Sequence, residues 1–263
     1  FLPRSAVVSQ ACQFLEIDRG VAEEAIAEML LSEQLVLTNM GEYDALYLRL
    51  YYDAEKRVAA RLLEMSQLVF DIGIEEINQK IEEAESECDI SLAEAQLEAV
   101  RSVFQNAAMV ITGGPGTGKT TIIKMMITLM QQSRKRVLLA APTGRAAKRI
   151  TELCGMEAKT IHRLLEITPG VDEVGSRFGR NAQNTLDCDV LIVDEMSMVD
   201  ILLMDSLLDA LPRGARLVMV GDSDQLPSVG AGNVLKDIIE SDVLTCIRLT
   251  EIFRQARESM IVM

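Results

Sequence analysis

The residues best suited to do chemistry lie in one glycine-rich run, Gly113–Thr121. Its pattern is G-x-x-x-x-G-K-[ST], in which backbone N–H groups surround nucleotide phosphates, a lysine reaches the β and γ phosphates and a hydroxyl holds Mg²⁺. An apolar run precedes the glycines and apolar residues recur at helical spacing after them, so a helix N-terminus would point at the anion. The alternative, a glycine turn that binds nothing, is disfavoured by the complete pattern. The predicted phosphate-binding residues are Gly113, Gly114, Pro115, Gly116, Thr117, Gly118, Lys119, Thr120 and Thr121.

An acidic pair, Asp194 and Glu195, follows the apolar run at 190–193. An aspartate at a strand tip is suited to hold Mg²⁺ between the β and γ phosphates, and the glutamate beside it is suited to polarise the attacking water. Such a pair alone is often a solvated turn. Downstream of a phosphate loop it indicates a catalytic site with Asp194 and Thr120 as metal ligands.

A polar loop, Gly221–Gly230, follows another apolar run at 217–220. It carries Asp222 and Gln225, and the Gln225 amide is placed to contact a γ phosphate and to move when that phosphate leaves. An Asp/Gly-rich loop without a ligand is an equal alternative from spacing alone.

Two further segments have the residue types of phosphate contacts. After the run at 137–141, Pro142, Thr143 and Gly144 would open a helix whose next residues include Arg145, Lys148 and Arg149. Such an N-terminus with nearby positive charge suits a nucleic-acid phosphate. An ordinary capped helix with a basic solvated face is favoured by the residues alone. Thr160 and His162 pose the same choice, since a lone histidine is more often a structural hydrogen-bonding group.

The elements that must position these residues alternate between strands and helices after residue 100. The candidate strands are Met109–Thr112, Val137–Ala141, Val190–Val193, Leu217–Val220 and Ile247–Leu249. Short apolar runs of this kind are typical of strands buried on both faces of a parallel sheet. The predicted fold class is therefore α/β, a three-layer sandwich whose ligands lie beyond the carboxyl ends of the strands.

The charge divides the chain into two differently built parts. Residues 1–100 hold 21 acidic and 7 basic side chains, whereas residues 101–263 hold 19 of each, so the whole net charge of −14 lies in the first hundred residues. Residues 1–66 read as helix, helix, hairpin, helix, an order that resembles a winged-helix module. Because this module is acidic, packing or a protein contact is favoured over DNA binding. We interpret residues 67–90 as a solvated acidic linker helix and residues 91–263 as the α/β domain.

Composition narrows the class of protein. Of the 263 residues, 49% are hydrophobic, which is ample for a buried core, and no apolar run is long enough to cross a bilayer. Five scattered cysteines without metal-ligand spacing favour a reduced, cytoplasmic protein. Because the chain starts at Phe1 rather than methionine and residues 257–263 read as the opening of another helix, we expect it to be part of a longer protein.

Taken in order, these motifs resemble the RecD-like helicases of superfamily 1, the group that includes the alpha subunit of exonuclease V. The resemblance covers about residues 91–258. Its most specific parts are 113–121, 141–147, 160–165, 193–200, 221–232 and 249–255. Leu226–Gly230 and the acidic front part are more similar to the stand-alone members than to the exonuclease subunit.

This resemblance implies a RecA-like P-loop NTPase fold and an ATP- and Mg²⁺-dependent DNA helicase that moves 5′ to 3′ on single strands during recombination and repair. It implies that Gln96 reads the adenine, that Gln225 senses the γ phosphate and that Arg254 stabilises charge on the same phosphate. It also implies that the single-strand track includes Pro142, Thr143, Gly144, Arg145, Thr160 and His162.

The resemblance further implies a second RecA-like motor domain, which has no counterpart before Met263, so residues 1–263 alone are not expected to unwind DNA. Two alternatives remain open. One is a nucleotide-dependent switch that controls a protein partner bound by the acidic N-terminal region. The other is a subunit of an exonuclease V-type complex or a fusion to a relaxase.

Overall fold

The structure is a computed structural model that describes residues 1–68, 70, 73–88, 91–167 and 178–251. It divides into two compact units, Phe1–Ala59 and Ala60–Met263. Among the described residues, no helix combines the length and the apolar character that crossing a membrane requires.

The first unit has the predicted order of helix, helix, hairpin and helix. Its elements are β1 (Leu2–Pro3), α1 (Arg4–Leu15), α2 (Arg19–Leu31), β2 (Leu35–Asn39), β3 (Asp44–Leu48) and the start of α3 (Arg49–Ser66). Strand β3 pairs antiparallel with both β1 and β2, and the short β1 is an addition to the prediction. A small core forms between the helices and β3 from Val8, Ala22, Ile26 and Leu46. The likeness to a winged-helix module stays a prediction.

The second unit is built on a six-stranded parallel sheet. Its helices are the end of α3, α4 (Ile74–Cys88), α5 (Glu94–Gln105), α6 (Lys119–Gln132), α7 (Gly144–Cys154), α8 (Ile161–Leu164), α9 (Ile201–Ala210) and α10 (Val234–Glu240). Its strands are β4 (Ala108–Gly113), β5 (Val137–Ala141), β6 (Ala158–Thr160), β7 (Val190–Val193), β8 (Arg216–Gly221) and β9 (Thr245–Leu249). The strand order is β6-β5-β7-β8-β4-β9. This sheet with flanking helices confirms the predicted α/β class.

The register of the sheet brings the predicted chemical segments to one edge. Ala141 is opposite Thr160, Ala140 is opposite Val193, and Thr112 is opposite Gly221. Because all these pairs are parallel, the loops after β4, β5, β6, β7 and β8 leave the sheet on the same side. Ligands of open parallel sheets bind beyond this edge.

The prediction of a solvated linker at 67–90 is wrong for its helical part. Helix α4 has one apolar face, on which Ile77, Ile81 and Ala84 are 1%, 2% and 0% exposed. These side chains belong to the same core cluster as residues of α5, α6 and the sheet. The glutamates occupy the opposite, solvated face, so α4 is an amphipathic helix of the second unit.

Candidate active site

The loop after β4 has the shape of a phosphate cradle. Gly116 and Gly118 both have φ of +82°, a conformation that side chains bearing Cβ rarely adopt. At Gly113 an added Cβ would lie 2.7 Å from the Leu249 backbone oxygen and 2.9 Å from Thr117 Oγ1. Glycine is therefore required there because β9 and the loop approach too closely for any other residue.

Lys119 is the first residue of α6 and turns back over the loop. Its Nζ donates to the carbonyl oxygens of Gly113 at 2.5 Å and Gly114 at 2.9 Å. The Thr117 hydroxyl donates to the same Gly114 oxygen at 2.9 Å. These bonds hold a positive charge at the mouth of the loop. Gly113 and Gly114 thus serve the site by positioning Lys119, whereas residues 115–121 line the cleft above it.

Gln96 is buried beside this loop, with only 4% of its surface exposed. Its side-chain NH₂ donates to the Thr117 carbonyl at 3.3 Å, and its side-chain oxygen accepts from the Ala93 N–H at 3.0 Å. The second bond satisfies an otherwise unpaired N–H at the start of α5. Gln96 therefore ties α5 to the phosphate loop, and it also lines the cleft.

Asp194 and Glu195 follow β7 and face the phosphate loop. Burial raises the pKa of Asp194 to about 6, although the Glu195 backbone N–H, Lys119 and Arg149 each act to lower it. Glu195 has φ of +56°, an uncommon left-handed conformation for a non-glycine residue.

Gln225 lies on the loop after β8, as its position in the sequence predicts. Its side-chain oxygen accepts from the hydroxyl of Ser197 at 3.4 Å, a residue of the short 3₁₀ helix Met196–Met198 that follows Glu195. The buried Asp222 holds the start of this loop, since its carboxylate accepts from the Asp224 N–H at 3.1 Å. One side-chain hydrogen bond therefore links the glutamine loop to the 3₁₀ helix that follows the acidic pair.

One cleft of 710 Å³ collects most of the predicted nucleotide-site residues. It is lined by the loop from Pro115 to Thr121 together with Gln96, Asp194, Glu195 and Gln225. Sequence reasoning missed five further lining residues, namely Ser91, Ala146, Arg149, Ile150 and Leu153. Four of these lie on one face of α7, at spacings of three, four and seven residues. This helical periodicity is the sequence signal from which they could have been grouped together.

The predicted strand-contacting residues form a second group at the ends of β5 and β6. The Thr143 side chain caps α7 by accepting from the Ala146 N–H at 3.2 Å, and the Thr160 side chain caps α8 by accepting from the Arg163 N–H at 3.2 Å. Gly144, Arg145 and His162 are exposed, while Pro142 is half-buried. The ring of His162 lies 6.1 Å from that of Phe178. None of these predicted residues lines the 710 Å³ cleft.

Arg254 lies outside the described residues. Within them, no group of three or more His, Cys, Asp or Glu side chains is arranged to hold a metal ion by itself. The Thr120 hydroxyl and the Asp194 carboxylate both line the cleft. Oxygen donors of this kind suit Mg²⁺, which usually takes one or two protein ligands together with substrate phosphates and waters. The residues present therefore fit a magnesium-bound nucleotide.

Comparison with known proteins found a matching family model and several similar proteins. A family model described as an AAA domain matches residues 96–231. The RecD subunit of the RecBCD enzyme from Mycobacterium tuberculosis is 35% identical over 237 residues, which cover 81% of this chain and 39% of that protein. The ATP-dependent RecD2 DNA helicase of Deinococcus radiodurans is 42% identical over 171 residues, covering 65% of this chain and 23% of that protein. A crystal structure of the Pif1 helicase from Candida albicans is 27% identical with a TM-score of 0.47, covering 63% of this chain and 41% of that chain. The chain therefore spans less than half of each of these relatives.

Proposed function

Because this chain belongs to the AAA-domain family and is a RecD-like superfamily 1 helicase sequence, we propose that it forms the ATP-hydrolysing part of a motor that moves along single-stranded DNA. The observation that supports this most is the cleft, where the phosphate loop, Lys119, the acidic pair and Gln225 meet. The 5′ to 3′ polarity and the role in recombination and repair are the finer parts of the same proposal.

The proposed role of each residue follows from its position in the cleft. Backbone N–H groups of the loop at 115–121 and the ammonium of Lys119 bind the phosphates, and Gln96 reads the adenine from the α5 side. The Thr120 hydroxyl and Asp194 hold Mg²⁺, which when bound supplies positive charge to the β and γ phosphates. Glu195 orients and deprotonates the attacking water, and Gln225 reports loss of the γ phosphate through its bond to Ser197.

The DNA strand is proposed to follow the ends of β5 and β6, over Thr143, Arg145, Thr160 and His162. Capped helix N-termini with nearby cations suit backbone phosphates. The second part of the chain is electrically neutral, with 19 acidic and 19 basic residues after position 100. A motor that releases each nucleotide as it steps needs a few such local contacts rather than a broad basic surface.

The experiment that tests this proposal measures ATP hydrolysis with and without single-stranded DNA, using the full-length protein that carries this sequence. We expect DNA to raise turnover. Glu195→Gln should retain ATP binding and lose turnover by about 10²- to 10⁴-fold, because it removes the general base and keeps Asp194 for the metal. Glu152→Gln, the same chemical change at an exposed site on α7 outside the cleft, is the matched control and should hydrolyse normally.

Two results would overturn parts of the proposal. If turnover does not rise with DNA, the motor function is wrong and a nucleotide-dependent switch acting on a protein partner is favoured. If Glu195→Gln hydrolyses ATP normally, the assigned general base is wrong.

The alternative of a nuclease-complex subunit is supported by the similarity to RecD, which by its name is a subunit of the RecBCD enzyme. Co-purification of the full-length protein with a nuclease would favour it.

A further inference from the structure

The basic residues of α7 divide between two surfaces. Ala146, Arg149, Ile150 and Leu153 line the cleft, whereas Arg145 and Lys148 do not. Residues three, four and seven apart share one face of a helix. Arg149 therefore faces the cleft together with apolar neighbours, although the sequence alone grouped it with the cations of a solvated basic face.

Arg149 is available for a ligand in this arrangement. Among the described residues, its guanidinium makes no hydrogen bond or ion pair, and its side chain is exposed at the cleft wall. By contrast, the Lys119 ammonium is already held by two carbonyl oxygens. Arg149 also lies within electrostatic reach of the β7 tip, because its charge acts to lower the pKa of Asp194.

The sheet order shows which end of a nucleotide Arg149 would meet. Helix α5, which carries Gln96, packs against β9 and β4, whereas α7 packs against β6 and β5. These two pairs of strands lie toward opposite edges of the sheet. Helix α6, which begins at the phosphate loop, packs against both α5 and α7. A nucleotide whose base lies toward Gln96 therefore extends its phosphates toward α7, Asp194 and Gln225.

From this placement we propose that Arg149 binds the terminal phosphate of a nucleoside triphosphate and so distinguishes it from the diphosphate. The inference rests on the proposed function, since it assumes that the cleft holds ATP. A guanidinium suits this task because its planar set of N–H donors matches phosphate oxygens in a bidentate way and its charge is permanent. The cations among the described lining residues of the cleft are Lys119 and Arg149, so Arg149 is a second positive charge available to the phosphates.

The test is calorimetric titration of the 263-residue chain with ATP and, separately, with ADP, both with Mg²⁺. Arg149→Ala should weaken ATP binding by about tenfold or more, as expected for loss of a charged hydrogen bond, and leave ADP binding within about twofold. Arg149→Lys keeps the positive charge but lacks the planar set of N–H donors. Its ATP affinity should lie between those of the wild type and Arg149→Ala. Lys124→Ala is the matched control, since it removes an exposed cation from α6 that does not line the cleft; it should change neither affinity.

The outcomes separate this inference from the proposed function. If the wild-type chain binds neither nucleotide, the proposed function fails. If it binds ATP and Arg149→Ala weakens ATP and ADP equally, Arg149 contacts a part that the two nucleotides share and the inference is wrong. If the substitution weakens neither, the inference is wrong and Arg149 belongs to a solvated face. Thermal unfolding of each variant checks the fold, and Arg149→Gln replaces Arg149→Ala if the alanine variant is unstable.

Discussion

The position of Asp194 suits a metal ligand but costs folding free energy. Asp194 is half-buried at the tip of β7, and this partial removal from water is the largest cause of its pKa of about 6. A carboxylate that is partly removed from water costs free energy in its charged form. A carboxylate held in this way is well suited to a metal ion, because the ion supplies the missing charge.

This cost leads to a prediction about pH. The folded-state pKa of about 6 lies above the ordinary value of 3.8, so the native state binds the proton more tightly than the unfolded state does. The free energy of unfolding therefore falls as pH rises from about 4 to about 6. Asp194→Asn removes this penalty. It should raise the free energy of unfolding at pH 7.5 by up to about 3 kcal/mol, and the gain should shrink as pH falls toward 4.

Urea unfolding in EDTA without nucleotide measures this effect. Asp224→Asn, the same change at an exposed position, is the control and should shift stability by less than about 0.5 kcal/mol. A gain from Asp194→Asn that is the same at pH 4 and pH 7.5 would show that the charge of Asp194 is not the cause.

The sequence predicted some residues of the site but not the contacts between distant ones. The phosphate loop and the acidic pair were identified because their chemistry lies in contiguous residues with a recognisable spacing. The bond from Ser197 to Gln225 joins residues 28 positions apart, and the place of Arg149 depends on how α7 packs. Neither contact has a local pattern from which it follows.

At the scale of elements, α4 is the clearest difference between expectation and structure. Its glutamates suggested a solvated linker, yet Ile77, Ile81 and Ala84 lie in the core. Their spacing of four and seven residues is the signature of an amphipathic helix. The high charge of the segment concealed this pattern, since a solvated face and a buried face occur on the same helix.

The burial of α4 is testable by two substitutions of the same kind. Ile81 is 2% exposed and Ile74, on the first turn of the same helix, is 57% exposed. Ile81→Ala should lower the free energy of unfolding by about 2–5 kcal/mol, because it leaves a cavity in the core. Ile74→Ala should change it by less than about 0.5 kcal/mol. Equal effects in denaturant titrations would mean that the apolar face of α4 does not lie in the core of the second unit.

The strands were predicted more accurately than their arrangement. All five predicted runs are strands and their bounds differ by at most two residues, because buried parallel strands are short, apolar and β-branched. The sixth strand, β6, was missed since it has three residues, of which one is exposed. The strand order was not predictable from single segments, because it depends on which crossovers the whole sheet accepts.

For the whole molecule, the central feature is that two predicted surfaces share one helix. Thr143, a predicted DNA contact, caps the N-terminus of α7, and the cleft face of this helix runs from Ala146 to Leu153. The hydrogen bond from the Ala146 N–H to the Thr143 side chain joins the two directly. The proposed nucleotide site and the proposed strand track therefore share a single helix.

All of this depends on the cleft being an ATP site, and calorimetric titration of residues 1–263 with Mg²⁺ and ATP tests that claim most directly. Wild type should bind one ATP per chain. Lys119→Ala should weaken binding at least tenfold, because it removes charge-assisted contacts to the β and γ phosphates worth about 1.5–3 kcal/mol, while Lys124→Ala should bind like wild type. An ATP affinity that is the same in wild type and Lys119→Ala would contradict the account.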